Sequence, residues 1–366
     1  MLAFSRAGRY NLFAFYISSK GIFMYSFAND YSEGAHPLVL QALCETNSEQ
    51  TCGYGLDGYC SAAADTIRSL CSAPEADVHF VVGGTQANLL TIHAFLRSYE
   101  AVLAAHTGHV NVHETGAIEL TGHKVVALPS ADGKVTPDMV EQAVAVHFSE
   151  HMVHPRLIYI SNTTEVGTLY SKSELASLRR CCDDLGLFLY LDGARLGSAL
   201  TAPGNDLTWS DLSRYTDAFT IGGTKNGALF GEAVVLVQEG VKDHFRYYMK
   251  QRGAMLAKGR LLGVQFQALL KDGLYLRLAR RANEQAARLR EGISALGYEL
   301  SYHSPSNQIF PVFPNHVAER LASSYDFTVD APVGPDRTRV RLVTSWATPS
   351  EAVEGFLQDL AACRAA

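Results

Sequence analysis

The stretch DAFTIGGTKNGALFGEAVVLV, Asp217 to Val237, sets one charged residue, Lys225, among small and apolar neighbours. Within it "AFTI" (218–221) and "AVVLV" (233–237) are short apolar runs rich in β-branched residues, and both read as buried strands. The link between them is glycine-rich, so the backbone can turn tightly there. A lysine held in such a link lies close to a core. Burial lowers a lysine pKa, and a neutral amine is a nucleophile. On these residues alone Lys225 reads either as a nucleophile or as an ordinary surface-loop lysine.

Working outward, the chain from Val78 to Val237 alternates strand and helix. "VHFVV" (78–82), "KVVALP" (124–129) and "RLIYIS" (156–161) read as strands, and "LFLYLD" (187–192) as a strand apolar on both faces. Between them, 85–100 carries a helical stripe of Leu89, Ile92, Leu96 and Tyr99. A second helix opens with Thr136 as N-cap and Pro137 at its first position. A third opens with the capping box Ser171/Glu174 and ends at Gly186. This pattern predicts an α/β fold with a mainly parallel central sheet flanked by helices. Residues 245–300 read as mostly helical, broken by Gly253, Gly259, Gly263 and Gly273. Shorter mixed elements follow, "QIFPVF" (308–313) and "RVRLVTSW" (339–346), and then a helix opened by Thr348, Pro349 and Glu351. The expected division is a large domain over 24–250 and a smaller C-terminal α+β domain over 251–366. Residues 1–23 read either as lying ahead of a translation start at Met24 or as a poorly ordered extension.

The 366 residues are 47% hydrophobic and 19% charged with net charge -6, which fits a globular chain with a large core. No basic run or aromatic-basic interleaving points to nucleic acid, and no stretch is long and apolar enough to span a bilayer. The 7 cysteines are odd in number and form no C-x-x-C pair, which fits a reducing cytoplasm better than a disulfide framework or a zinc site.

Four other segments carry candidate chemistry. In "HFVVGGTQANLL" a strand runs through Gly83-Gly84-Thr85 into a helix, whose unpaired N–H groups and positive dipole end suit a phosphate. The segment is neither a P-loop nor a dinucleotide fingerprint, and by itself it also reads as an ordinary strand-to-helix turn. In "LFLYLDGARLG", Asp192 ends a buried strand at the edge where open α/β sheets bind ligands. Arg195, three residues on, pairs either with Asp192 or with a substrate carboxylate. "HTGHVNVHETGA" crowds His106, His109, His113 and Glu114 together. A metal site is one reading, and a histidine stacked on a planar ligand or packed in the core is favoured over it. In "DRTRVRLVTSW", Arg337, Arg339 and Arg341 alternate on one strand face. Arg341, flanked by apolar residues, is the one expected to enter a cleft and hold a carboxylate.

Taken in order, "GGTQAN" (83–88), "GHVNVHETGA" (108–117), "LDGARLG" (191–197) and "GGTKNGALFGEA" (222–233) resemble the threonine aldolase and β-eliminating lyase family. That family consists of pyridoxal-phosphate enzymes of the aspartate-aminotransferase fold type (fold type I). "NDYSEGAHP" (29–37) and "YGLDGY" (54–59) extend the resemblance, which covers about 29 to 361. It implies that Lys225 joins the aldehyde of pyridoxal 5'-phosphate, that Asp192 pairs with the pyridine nitrogen, and that His109 stacks on the ring. Gly84 and Thr85 would hold the phosphate, aided by Thr224. Arg195 and Arg341 would contact the substrate carboxylate, with Asn29 close by. Tyr54 lies in a segment that in such enzymes reaches a neighbouring subunit's site, which implies a homodimer or homotetramer.

The implied reaction is cleavage of a small β-hydroxy-L-amino acid, threonine or allo-threonine, to glycine and acetaldehyde. The alternative is β-elimination or transamination of another small L-amino acid. There is one departure. Where the family often reads Asn-Thr-His after a central strand, this chain reads "SNTTEVGT", and Thr164 takes the histidine's place. Threonine is a poor base near neutral pH. Deprotonating a β-hydroxyl then falls to His113, a water or Glu165.

Overall fold

The computed structural model describes residues 25–364, so the expected 1–23 extension and a start at Met24 lie outside the described residues. Seven strands form the main sheet: β1 (Asp77–Val81), β2 (Glu100–Ala105), β3 (Lys124–Leu128), β4 (His154–Ser161), β5 (Phe188–Asp192), β6 (Ala218–Gly222) and β7 (Glu232–Leu236). Their spatial order is β1-β7-β6-β5-β4-β2-β3. Pairings β3–β2, β2–β4, β4–β5 and β5–β6 are parallel. Only β7 runs the other way, between β1 and β6. The mainly parallel sheet expected from the alternating pattern is therefore the one that forms.

Successive residues of β5 serve opposite faces. Leu189 and Leu191 join one apolar cluster with Ile158, Ile160, Phe219 and Ile221, while Tyr190 joins a second with Val102, Tyr159 and Val234. That two-sided burial is why this strand reads as continuously apolar. The helix signals hold as well. Thr136 accepts from Met139 N, Ser171 and Glu174 form the capping box, and Gly186 closes its helix at φ 65°.

Two expectations need correction. The helix read over 85–100 ends at Phe95, and Glu100–Ala105 is a fully buried strand in the sheet interior. Its text, EAVLAA, has a single β-branched residue and no alternation, so its place between two neighbours decides its conformation. The helical region after 245 breaks at Gly253 and at Asp272–Gly273, where φ is positive. Gly263, however, lies inside the helix Arg260–Leu270. A Cβ there would come within 2.4 Å of Cys60 N, so this glycine allows close packing against the helix Gly58–Leu70 rather than a break.

Beyond the helix Leu274–Ala295 a second, antiparallel sheet forms from β8 (Glu299–Leu300), β9 (Gln308–Ile309), β10 (Pro311–Pro314), β11 (Thr328–Pro332) and β12 (Arg337–Val343). It packs with the helix Ser350–Arg364 around its own core of Phe313, Leu342 and Phe356. The N-terminal arm crosses to this sheet: Tyr25–Ser26 pairs with Tyr325–Asp326, and Phe27 O accepts from Val343 N. The arm thereby carries residues 29–31 to the space between the two sheets.

Candidate active site

The carboxyl ends of β1, β2, β4, β5 and β6 meet at one edge of the main sheet, as in open α/β folds that bind ligands there. They surround a cavity of about 750 Å³, closed on the far side by the second sheet and the arm. Lys225 enters it from the short 3₁₀ turn Thr224–Asn226 that follows β6. Burial and the Arg195 guanidinium push the Lys225 amine below its ordinary pKa, against the pull of Asp30, Asp192 and Glu232. The surface-loop reading of this lysine is set aside, because the residue is half-buried and lines the cavity.

Asp192 ends β5 and is only 6% exposed. Its Oδ2 accepts from the Tyr159 hydroxyl at 2.7 Å and from Asn88 Nδ2 at 2.9 Å, and its Oδ1 accepts from Ala194 N at 2.9 Å. Burial alone would raise its pKa. The Tyr159 hydroxyl, His109, Asn88 and Lys225 outweigh burial and hold the carboxyl below its usual value, so it is a buried anion. Asn88 is itself fixed, donating to Glu114 Oε1 at 2.7 Å and accepting from Tyr190 OH at 2.7 Å. Asp192 and Arg195 do not pair. Arg195 instead binds Asp30 through Nε at 2.7 Å and Nη2 at 3.0 Å, and Asn307 adds a third bond to that carboxylate at 2.9 Å.

The helix Gly84–Phe95 begins at this edge with no side-chain cap, and a Cβ at Gly83 or Gly84 would meet nothing within 4 Å. Thr85 and Thr224 line the same space, and Thr224 Oγ1 accepts from Gly231 N at 3.0 Å. Open N–H groups, a dipole end and hydroxyls form a cradle for a tetrahedral anion. His109 begins its own short helix and lines the cavity, with its Nδ1 donating to Glu114 Oε1 at 2.7 Å. That bond holds the ring in place and leaves Nε2 without a hydrogen bond among the described residues. His106 lines the same cavity, with its Nδ1 accepting from Ser130 N at 3.2 Å. No group of three or more His, Cys, Asp or Glu side chains among the described residues is gathered for a metal ion.

The three alternating arginines have different partners. Arg337 pairs with the exposed Glu299 at 3.1 Å, and Arg339 pairs with Asp330. Arg341 makes only a 3.5 Å contact with Thr328 Oγ1, and its buried Nε has no partner among the described residues. Burial and Arg195 hold its pKa below the ordinary value, against the pull of Asp30, Tyr31 and Asp330. Asn29 lies on the arm at the same wall, with its Oδ1 accepting from Tyr31 N at 2.9 Å.

Four groups escape the sequence reading: Glu232, which lines the cavity, and Asn88, Tyr159 and Asp30, which bond to Asp192 and Arg195 behind it. Glu232, the first residue of β7, stands opposite both Val81 and Gly222, between the anion cradle and the lysine turn. Burial lifts its pKa to about 8, against the Lys225 amine and the Thr224 hydroxyl, and its Oε2 has no partner among the described residues. A carboxyl at the end of an apolar strand was the available signal. Thr164 is buried, and its hydroxyl is tied to Thr168 at 2.7 Å. The neighbouring Glu165 is the residue that lines the cavity.

The sequence pattern of the β-eliminating lyase family matches residues 33–313. A low specificity L-threonine aldolase from a Pseudomonas species is 32% identical over 350 residues, 93% of this chain and 98% of that protein. A solved threonine aldolase from Leishmania major superposes with a TM-score of 0.92 at 47% identity, covering 93% of this chain and 99% of that one. An aspartate aminotransferase from Thermus thermophilus shares the fold at a TM-score of 0.71 and 16% identity, over 93% and 92% of the two chains.

Proposed function

The chain belongs to the β-eliminating lyase family, and from that premise we propose that it cleaves threonine or allo-threonine to glycine and acetaldehyde, with pyridoxal phosphate as cofactor. Pyridoxal phosphate, when bound, supplies an aldehyde that condenses with amines and a ring that draws electrons from Cα. The residues present fit that group. The cavity offers an anion cradle of open N–H groups and hydroxyls and an amine held below its ordinary pKa, with a buried carboxylate behind them. It also keeps four orphaned polar atoms among the described residues, Thr107 Oγ1, Glu232 Oε2, Gln308 Oε1 and Arg341 Nε.

In this reading Lys225 would hold the cofactor through its aldehyde, Asp192 would pair with the ring nitrogen, and His109 would pack against the ring, while Gly84, Thr85 and Thr224 would hold the phosphate. Arg341 and Asn29 take the substrate carboxylate at the opposite wall. Arg195 has two nitrogens occupied by Asp30, so only Nη1 remains for that carboxylate. Holding the carboxylate would fix the orientation of the substrate at Cα, and so which bond breaks. The observation that carries the reading is one cavity shared by Lys225, the cradle and Arg341, with ionised Asp192 buried behind it in the electrostatic reach of Lys225.

Two further statements belong to the same proposal. A cytoplasmic location is supported by the cysteines, all of which are free thiols. A homodimer or homotetramer is supported by the arm and the segment after it, which expose Tyr31, Leu38, Leu40, Tyr54 and Leu56. The test is a product assay of the purified holoenzyme on L-threonine, L-allo-threonine, serine and cysteine. Equal amounts of glycine and acetaldehyde from a β-hydroxy substrate are expected. Release of ammonia with a keto acid instead would replace aldol cleavage with β-elimination.

A further inference from the structure

Three oxygen–oxygen contacts run from the floor of the cavity to its rim. Asp192 Oδ2 meets the Tyr159 hydroxyl at 2.7 Å, that hydroxyl meets Ser161 Oγ at 3.2 Å, and Ser161 Oγ meets Glu165 Oε1 at 2.7 Å. Tyr159 and Ser161 bring one hydroxyl hydrogen each to these three contacts. With Glu165 ionised, Tyr159 donates to Asp192 and Ser161 donates to Glu165. The contact between the two hydroxyls then has no proton, and it is the longest of the three. With Glu165 protonated and donating to Ser161, the serine hydroxyl turns to Tyr159 and every contact is filled. The chain thus has two self-consistent proton arrangements, and the charge on Glu165 selects between them.

Glu165 is also fixed in place. Its Oε1 accepts from His109 N at 2.8 Å as well as from Ser161, and the residue lines the cavity that holds Lys225. His113, the other titratable candidate at this wall, is exposed and has no side-chain hydrogen bond among the described residues. A base must be held within reach of the proton it takes. We propose that Glu165 is the catalytic base for the substrate β-hydroxyl, with Ser161 as its positioning residue.

This assignment rests on the aldol reading above. The β-hydroxyl proton passes to Glu165 and the Cβ–O bond becomes a carbonyl. The Cα–Cβ bond breaks with its electron pair remaining on Cα. Glu165 later returns its proton to the cavity, and Cα takes one from the same exchanging pool, so no proton is gained or lost overall. Burial raises the Glu165 carboxyl above its ordinary pKa, in part against the Ser161 and His109 bonds, with Asp192 adding to the rise. The groups facing it are His109 with Glu114, Tyr159 on the strand that leads into it, Asp192 on the next, and Lys225, Arg195, Arg341, His113 and Glu232 around the cavity.

The test compares wild type, Glu165→Gln, Glu165→Asp and Ser161→Ala as holoenzymes. Glu165→Gln is expected to lose about 100-fold or more in kcat for threonine with KM little changed. It should keep the cofactor absorption band and the exchange of the glycine α-proton for deuterium, which requires no β-hydroxyl base. Glu165→Asp should recover part of the rate. In Ser161→Ala the acid limb of kcat and the infrared titration of the carboxyl C=O stretch should move together to higher pH, because a bond that lowers the pKa is gone. Threonine cleavage by Glu165→Gln within about threefold of wild type overturns the assignment. Loss of glycine exchange along with cleavage also overturns it, since Glu165 would then serve the cofactor and not the hydroxyl. A wild type that exchanges glycine but cleaves no β-hydroxy amino acid would sink the aldol reading and this base with it.

Discussion

Beneath the cavity Asp192 receives three hydrogen bonds, and Asn88, Tyr159 and Tyr190 are bonded in turn, while along the wall Arg341 keeps a buried nitrogen with no partner among the described residues. The floor comes from the ends of parallel strands, and both oxygens of its Asp192 carboxylate are bonded. The wall comes from the second sheet and the arm and leaves its charge open. A satisfied buried carboxylate is suited to a resident group that stays from one turnover to the next. An open guanidinium is suited to a carboxylate that arrives and leaves. The contrast between Arg195 and Arg341 repeats the lesson: the first is neutralised by Asp30, the second is not.

Breaking the floor should have the largest effects. Lys225→Ala is expected to remove the cofactor's visible band on dialysis and to cut threonine cleavage about 10³-fold or more. Asp192→Asn leaves the shape but removes the charge, and cofactor retention and rate should fall by about 100-fold, the order of a lost buried charge partner. Breaking the wall should be milder and different in kind. Arg341→Ala is expected to raise KM for amino acids roughly 10- to 100-fold, the worth of a charged hydrogen bond, with the absorption band unchanged. If Arg341→Ala lost the band instead, the division between floor and wall would be wrong.

Glu232 sharpens the same comparison through pH. Its folded pKa, about 8, lies above the ordinary carboxyl value of 4.5. The folded protein therefore binds more protons than the unfolded chain between those values. Stability from this group is full below about pH 4 and is lost as pH rises toward 8. Glu232→Gln should flatten that decline, by about 1–3 kcal/mol near pH 8 in cofactor-free protein, read as Tm against pH. The smallest effect belongs outside the cavity. Arg337→Ala removes an exposed pair with Glu299 and should change stability by less than about 1 kcal/mol, with KM unaffected.

The sheet was legible because its central strands are apolar on both faces and its helices begin and end with capping residues. Lys225, Asp192, Gly84 and Thr85 were legible because each sits where a strand run stops, and strand ends in such sheets meet at one edge. The strand Glu100–Ala105 was not legible, since its alanines favour a helix locally and only its two neighbours make it a strand. The Asp30–Arg195 pair joins residues 165 positions apart, and nothing near either residue announces the other. Asn88 was hidden for a similar reason: its bonds to Asp192 and Tyr190 span more than 100 positions. Glu165 was visible only as one of three candidate bases, because its anchoring by Ser161 and His109 N exists only once β4 and the His109 turn are side by side.

The central claim is that Lys225 joins the cofactor above Asp192. It is tested most directly by reducing the pyridoxal-phosphate-loaded protein with borohydride, digesting it, and mapping the modified lysine by mass spectrometry. The pyridoxyl group is predicted on Lys225, with the label lost in Lys225→Ala. A label on any other lysine, or none on a wild type that still cleaves threonine, would contradict the account.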